Sequence, residues 1–192
     1  MNCPICNSSE RKKLLAFHET SEDKTIRYNL FKCINCGLIK PFPLPYTEET
    51  KNEVYDKLKP REIKIDFDSP EMRHYLRNFL PYIRFIKKYN ISGTCLDVGC
   101  GGGSFLYLLQ KNGFKSEGVE LNTNAVSALR KEGFIVYDKA LGDELYKNKK
   151  YNLIIVNHVL EHIEDLHSFL QNTHNLLDEK GLLIFAFPYI YG

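Results

Sequence analysis

The sequence predicts an α/β fold: an open, doubly wound, mostly parallel sheet preceded by a small four-cysteine module. Two observations predict it. From Thr94 to Phe187, short apolar runs alternate with stretches of helical spacing, and the links between them are short, the pattern of a parallel sheet with right-handed crossovers. Near the N-terminus, Cys3-Pro4-Ile5-Cys6 and Cys33-Ile34-Asn35-Cys36 form two C-x-x-C pairs. That is the spacing of a tetrahedral thiolate site, each pair turning tightly enough for both sulfurs to reach one ion.

With 192 residues, the chain has room for one α/β domain and a small appendage. No apolar run approaches the roughly 18 residues of a membrane span, and Met1-Asn2-Cys3-Pro4 carries no signal-peptide pattern. The sequence therefore predicts a cytoplasmic protein with no membrane contact. Residues 1–60 hold 10 Lys/Arg against 8 Asp/Glu, and residues 61–192 hold 16 against 16. This balance offers no electrostatic case for nucleic acid.

In order along the chain, Cys3, Cys6, Cys33 and Cys36 are expected to bind one structural zinc ion, since so short a segment can hardly bury a core of its own. Thr25 to Lys32 alternates apolar and polar residues, as a strand entering the second knuckle does. Residues 1–40 read as a zinc ribbon. Residues 41–68 read as a linker, stiffened by Pro41-Phe42-Pro43-Leu44-Pro45, with a short helix at Lys51 to Lys57. Residues 69–192 form the larger domain. It opens with helical spacing from Ser69 to Tyr89, with Pro81 as a kink.

Thr94-Cys95-Leu96-Asp97-Val98 then runs into Gly99-Cys100-Gly101-Gly102-Gly103 and Ser104. This is a strand, a glycine turn and a helix start, where backbone N–H groups can approach a ligand without a β-carbon in the way. A phosphate-cradling loop needs a Lys after its last glycine, and none follows Gly103. A dinucleotide fingerprint counted from Gly99 needs a small apolar residue where Ser104 stands.

The spacing that does fit is D-x-G-x-G-x-G over Asp97, Gly99, Gly101 and Gly103. In this the chain resembles the class I S-adenosylmethionine-dependent methyltransferases, whose sheet is Rossmann-like. The second acid that the resemblance requires is Glu120, in Val119-Glu120-Leu121 at the end of the next strand, where a carboxylate can accept from both ribose hydroxyls. The resemblance implies cofactor contacts at Asp97, Gly99, Cys100, Gly101, Gly103, Glu120, Leu121 and Asn157. Arg73 and Tyr75, on the helix before the sheet, are weaker candidates at the methionine end.

Phe105 to Lys111 make the first crossover helix, closed by Gly113. Lys115 to Leu121 is the second strand. Asn122 or Thr123 caps a helix from Ala125 to Lys131, and Phe134 to Tyr137 is the third strand. Asp138 to Leu141 follow it, where relatives pack adenine. Tyr151 to Val156, almost wholly apolar, is a strand buried on both faces. Asp165 caps the next helix, and the turn Asp178 to Gly181 introduces the fifth strand, Leu182 to Phe187. Sheets of this family have seven strands, so the chain looks cut after strand five. The expectation is a longer protein, or a homodimer that covers the strand-five edge.

His158-Val159-Leu160-Glu161-His162 matches a zinc-protease helix signature, but it begins at a strand end and is better explained by the methyltransferase resemblance. There, Asn157 lies near the methionine part of the cofactor and His158 faces the substrate, either as the base that removes one proton or as a wall of the pocket. The expected activity is methyl transfer from S-adenosylmethionine to a small polar metabolite or sugar. Alternatives are a zinc-ribbon ribosomal RNA methyltransferase and a non-catalytic cofactor-binding scaffold.

Overall fold

The computed structural model describes residues 2–20, 25–42 and 66–187. The short helix expected at Lys51 to Lys57 and most of the proline-rich linker lie outside them, as does the Tyr75 side chain. The chain divides into two compact units. Among the described residues no helix is long and apolar enough to cross a membrane.

The first unit is a three-stranded antiparallel sheet of β1 (Arg11–Thr20), β2 (Thr25–Cys33) and β3 (Ile39–Phe42), in that order. Only β2 is announced by its alternation. β1 opens on Arg11-Lys12-Lys13, which carries no apolar periodicity, and it owes its strand form to pairing with β2, where Arg11 lies opposite Cys33 and His18 opposite Arg27. β3 also corrects the expected domain end, because Pro41 and Phe42 belong to the sheet. Pro41 has no N–H to give, which an edge strand tolerates, and it pairs with Leu30 there.

The second unit is a five-stranded, wholly parallel sheet of β4 (Thr94–Val98), β5 (Lys115–Val119), β6 (Ile135–Tyr137), β7 (Tyr151–Asn157) and β8 (Leu177–Ala186). The strand order is β6-β5-β4-β7-β8. Strands are added outward from β4 first on one side and then on the other, so the order reverses between β4 and β7. Ligands of open α/β sheets bind at such a reversal, beyond the carboxyl ends of the strands.

The expected single helix over 69–89 is broken into α1 (Pro70–Leu76), a 3₁₀ turn at Arg77–Phe79 and α2 (Leu80–Lys88). Pro81 sits in the first turn of α2, where its missing N–H costs nothing. The next helices are α3 (Ser104–Lys111), α4 (Thr123–Lys131) and α5 (Leu166–Leu176). On one sheet face Phe79, Ile83 and Ile86 pack with Phe105 and Leu109 of α3 over Cys95, Leu153 and Ile155. On the other, Leu176 of α5 joins Leu96, Ile154 and Val156. Leu153 to Val156 are fully buried, as a strand covered on both faces must be.

The turn expected at Asp178 to Gly181 lies within β8. Tyr151 pairs with Leu177, but Leu153 pairs with Leu182, and the extra residues are taken up where the Lys180 N–H donates to Asp178 Oδ1 at 3.2 Å. The loop from β6 to β7 is tied down by Glu117, whose Oε2 accepts from Tyr151 (2.6 Å), Tyr137 (2.9 Å) and Lys149 (3.1 Å). Burial works against ionisation of Glu117, yet these three donors outweigh it and hold the carboxyl below its ordinary range.

Candidate functional site

The glycine turn links β4 to α3. Gly99, Gly101 and Gly103 all take positive φ, of 73°, 53° and 76°, a conformation that a β-carbon disfavours. Two of them also meet close neighbours: a methyl group at Gly99 would run into Val159 Cγ2, and one at Gly103 into Leu129 Cδ2. Gly101 is different, with no atom within 4 Å of where its β-carbon would stand. The turn is anchored by Gly99 and Cys100, whose N–H groups donate to the Val119 carbonyl at 2.8 and 3.0 Å.

Glu120, one residue beyond β5, reaches back to this turn. Its Oε2 accepts from the Gly101 N–H at 2.9 Å and its Oε1 from the Asn122 N–H at 2.8 Å. Asn122 in turn caps α4 with its side chain, accepting from the N–H groups of Asn124 and Ala125. Each Glu120 oxygen keeps a second lone pair for another donor. Leu121 follows with its side chain 64% exposed, unusual for a leucine at a strand end.

Asp97 is 3% exposed, and among the described residues no donor reaches its carboxylate. Burial, and then the nearby Glu120 charge, raise its pKa from an ordinary aspartate value to about 7. Cys100, also assigned to the cofactor from sequence, turns its thiol inward. It is 8% exposed, and its sulfur lies 2.7 Å from where a β-carbon of Gly118 would be, so only its backbone belongs to the turn's surface.

Asn157 ends β7, one step beyond the Val98–Val156 pair and so level with Gly99. His158 follows with φ 55°, its N–H donating to the Ala186 carbonyl at 2.8 Å. That conformation breaks from both strand and helix. The zinc-protease reading fails on it, because His158 and His162 share no continuous helix and only a 3₁₀ turn covers Leu160–His162. His158 is well exposed, with Nδ1 3.4 Å from Glu161 Oε1.

Sequence reasoning missed Tyr82, whose hydroxyl donates to Asn157 Oδ1 at 3.2 Å. Its one signal was its place three residues after Phe79, on the same helical face. Arg73 lies exposed on α1. Met72, beside it in sequence, has its sulfur 3.2 Å from Ser104 Oγ at the start of α3. Asp138, at the start of the loop considered for adenine, pairs with Arg130 at 3.4 Å.

In the first unit, the sulfurs of Cys3, Cys6, Cys33 and Cys36 all lie within 4.8 Å of one another. Two approaches run between knuckles, Cys3 to Cys36 and Cys6 to Cys33, at 3.5 Å each. Tetrahedral zinc, with Zn–S of about 2.3 Å, puts its sulfurs about 3.8 Å apart, so the donor set fits that ion. Both knuckles turn alike, Asn7 donating to the Cys3 carbonyl at 2.9 Å and Gly37 to the Cys33 carbonyl at 3.0 Å. Hydrogen bonds from Asn35 and the Ser8 backbone lower the Cys6 thiol, whereas Cys36, despite its hydrogen bond with the Leu38 backbone, is raised by desolvation and by its three cysteine neighbours, so the four thiols titrate as a group.

A family model described as a methyltransferase domain matches residues 69–189. The chain belongs to that family. Among curated relatives, a ubiquinone biosynthesis O-methyltransferase of Rickettsia bellii (strain OSU 85-389) is 30% identical over 96 residues, 47% of this chain and 40% of that protein. One of the same name from Glaesserella parasuis is 29% identical over 102 residues, covering 47% and 43%. The matched part of this chain thus spans less than half the length of these relatives. Among solved structures, the fold is shared by a Pyrococcus horikoshii OT3 protein (TM-score 0.57, 21% identity, 72% of this chain and 63% of that one). It is shared too by a SAM-dependent methyltransferase from Archaeoglobus fulgidus (TM-score 0.53, 24% identity, 62% and 53%). S-adenosylmethionine, the family's cofactor, fits the residues present: a buried carboxylate without a donor, a second with lone pairs to spare, and open space over Gly101.

Proposed function

We propose that this methyltransferase domain transfers a methyl group from S-adenosylmethionine to a small polar metabolite or sugar. The observation that carries the cofactor part is the convergence of Asp97 and Glu120 on one glycine turn at the sheet's point of reversal. Asp97 and Glu120 would accept hydrogen bonds from the cofactor, and Gly101 and Gly102 leave the space it needs. The bound cofactor supplies an activated methyl carbon on a sulfonium centre. The chain's part is then to align the acceptor in line with that carbon and to take away one proton. His158, exposed at the end of β7, is the base in this reading, with Glu161 3.4 Å away to stabilise the imidazolium. An oxygen acceptor is supported by the curated relatives, which are named O-methyltransferases.

The small-molecule class is supported by the near balance of charge, which offers nothing for a phosphate backbone. The four cysteines would hold one structural zinc ion, with all four thiolates engaged and no position left for chemistry. Residues 1–42 would then be a ribbon whose fold depends on the metal.

The test is incubation with methyl-labelled S-adenosylmethionine and, separately, fractionated cell metabolites and total RNA. Label is expected in a polar metabolite fraction. Label in RNA alone would overturn the substrate class, and no cofactor binding by calorimetry would overturn the activity.

A further inference from the structure

Tyr82 of α2 and Asn157 of β7 are 75 positions apart in sequence, and the Tyr82 hydroxyl donates to Asn157 Oδ1 at 3.2 Å. The Tyr82 ring is closely held. It lies edge-on to Phe105 with centroids 5.4 Å apart and 6.2 Å from Phe79, and those two buried rings stack on each other at 4.5 Å. A ring wedged in this way presents its hydroxyl at a fixed point. The Tyr82 hydroxyl donates to the amide oxygen, which leaves the Asn157 nitrogen turned away from Tyr82. That nitrogen has no acceptor among the described residues. Asn157 thus offers two N–H donors at the end of β7, level with Gly99.

Glu120 lies just beyond β5 and Asn157 ends β7, on opposite sides of β4 and its turn. One side offers the Glu120 carboxylate, suited to hydroxyl donors, and the other offers the Asn157 amide N–H groups, donors suited to an anion. We infer that Tyr82 is a positioning residue, which fixes the Asn157 amide so that its N–H donors read the carboxylate at the amino-acid end of the cofactor. This rests on the proposed cofactor reading.

Calorimetry on the full chain tests it with two ligands, S-adenosylhomocysteine and 5′-methylthioadenosine, which lacks the amino-acid end. Tyr82→Phe, which keeps the ring and its packing, is expected to weaken S-adenosylhomocysteine by roughly three- to tenfold and to leave 5′-methylthioadenosine unchanged. Asn157→Asp is expected to weaken S-adenosylhomocysteine further, because it replaces donors with a like charge, again sparing the shorter ligand. Unchanged S-adenosylhomocysteine affinity in both variants, or equal weakening of both ligands, overturns this inference alone. Binding of neither ligand by the unaltered chain overturns the cofactor reading and this inference with it.

Discussion

Glu120 and Gly101 are joined by a 2.9 Å hydrogen bond, the carboxylate of one strand end accepting from the backbone N–H of the neighbouring turn. The same carboxylate accepts from Asn122 at the start of α4, so it holds two pieces of backbone in place before it meets any ligand. Glu120→Ala should remove a charge-assisted acceptor worth about 1.5–3 kcal/mol. S-adenosylhomocysteine binding by calorimetry is expected to weaken tenfold or more, and unchanged affinity would remove Glu120 from the site.

Asp97 predicts a pH dependence of unusual sign. Its folded pKa, about 7, lies above its ordinary value of 3.8, so between these limits the native chain keeps a proton that the unfolded chain has lost. Stability should therefore fall as pH rises from about 4 to about 7, by on the order of 4 kcal/mol from this group, and level off above that. Urea titrations of Asp97→Asn beside the parent should show that slope removed. A cofactor that donates to the carboxylate favours its ionised form, so S-adenosylhomocysteine affinity should rise from about pH 6 to about pH 8 in the parent and stay flat in Asp97→Asn. A rise of equal size in both would place the titrating group elsewhere.

The features read correctly in advance are those written locally. Glycines at Gly99, Gly101 and Gly103 mark positive φ within a few residues, and the apolar run of β7 marks double burial by itself. What escaped depends on contacts that the local pattern does not announce. β1 is a strand because β2 lies beside it, and its opening Arg11-Lys12-Lys13 says nothing of that. The break at Arg77–Phe79 was visible only as Pro81, which marks a constraint without fixing where the helix yields. At the site, the sequence set Glu120 beside the turn, but its grip on Gly101 and the bond from Tyr82 to Asn157 exist only once the sheet brings β4, β5 and β7 together. Cys100 illustrates the reverse, a residue inside the motif whose side chain turns into the core.

The cysteine cluster predicts one zinc ion per chain by elemental analysis. Removing it with a chelator should unfold the three-stranded unit, in which few of the described residues are buried, and leave the parallel sheet folded, since that unit carries its own core on both faces. Far-UV circular dichroism should keep its helical signal while proteolysis opens residues 2–42. Full metal retention in Cys3→Ser with Cys33→Ser would show that the ion lies elsewhere.

Two glycines of one turn should fail in different ways. A methyl group at Gly103 meets Leu129 Cδ2 in the core beneath α3 and α4, so Gly103→Ala should lower stability by about 1–3 kcal/mol and depress the melting temperature. At Gly101 the methyl group meets open space, so Gly101→Ala should cost only its backbone strain, about 1 kcal/mol. It would nevertheless intrude where the cofactor is expected, so its main effect should be on S-adenosylhomocysteine affinity. Equal losses of stability in the two variants would mean that the turn has no ligand-facing side.

His158 decides between a base and a wall, and its backbone dictates how to ask. At φ 55° it occupies the left-handed region, which asparagine tolerates and alanine does not. His158→Asn is therefore the informative variant, because it removes the imidazole and leaves the turn before Leu160–His162 intact. If His158 takes the acceptor's proton, kcat should fall by about 10²- to 10⁴-fold with S-adenosylhomocysteine affinity unchanged. If it only walls the pocket, KM for the acceptor should rise and kcat should hold within a few-fold. Glu161→Gln gives the second reading. Its carboxylate lies 3.4 Å from His158 Nδ1 and can stabilise the imidazolium only while charged. A base role therefore predicts a smaller kcat loss there, and a wall predicts none.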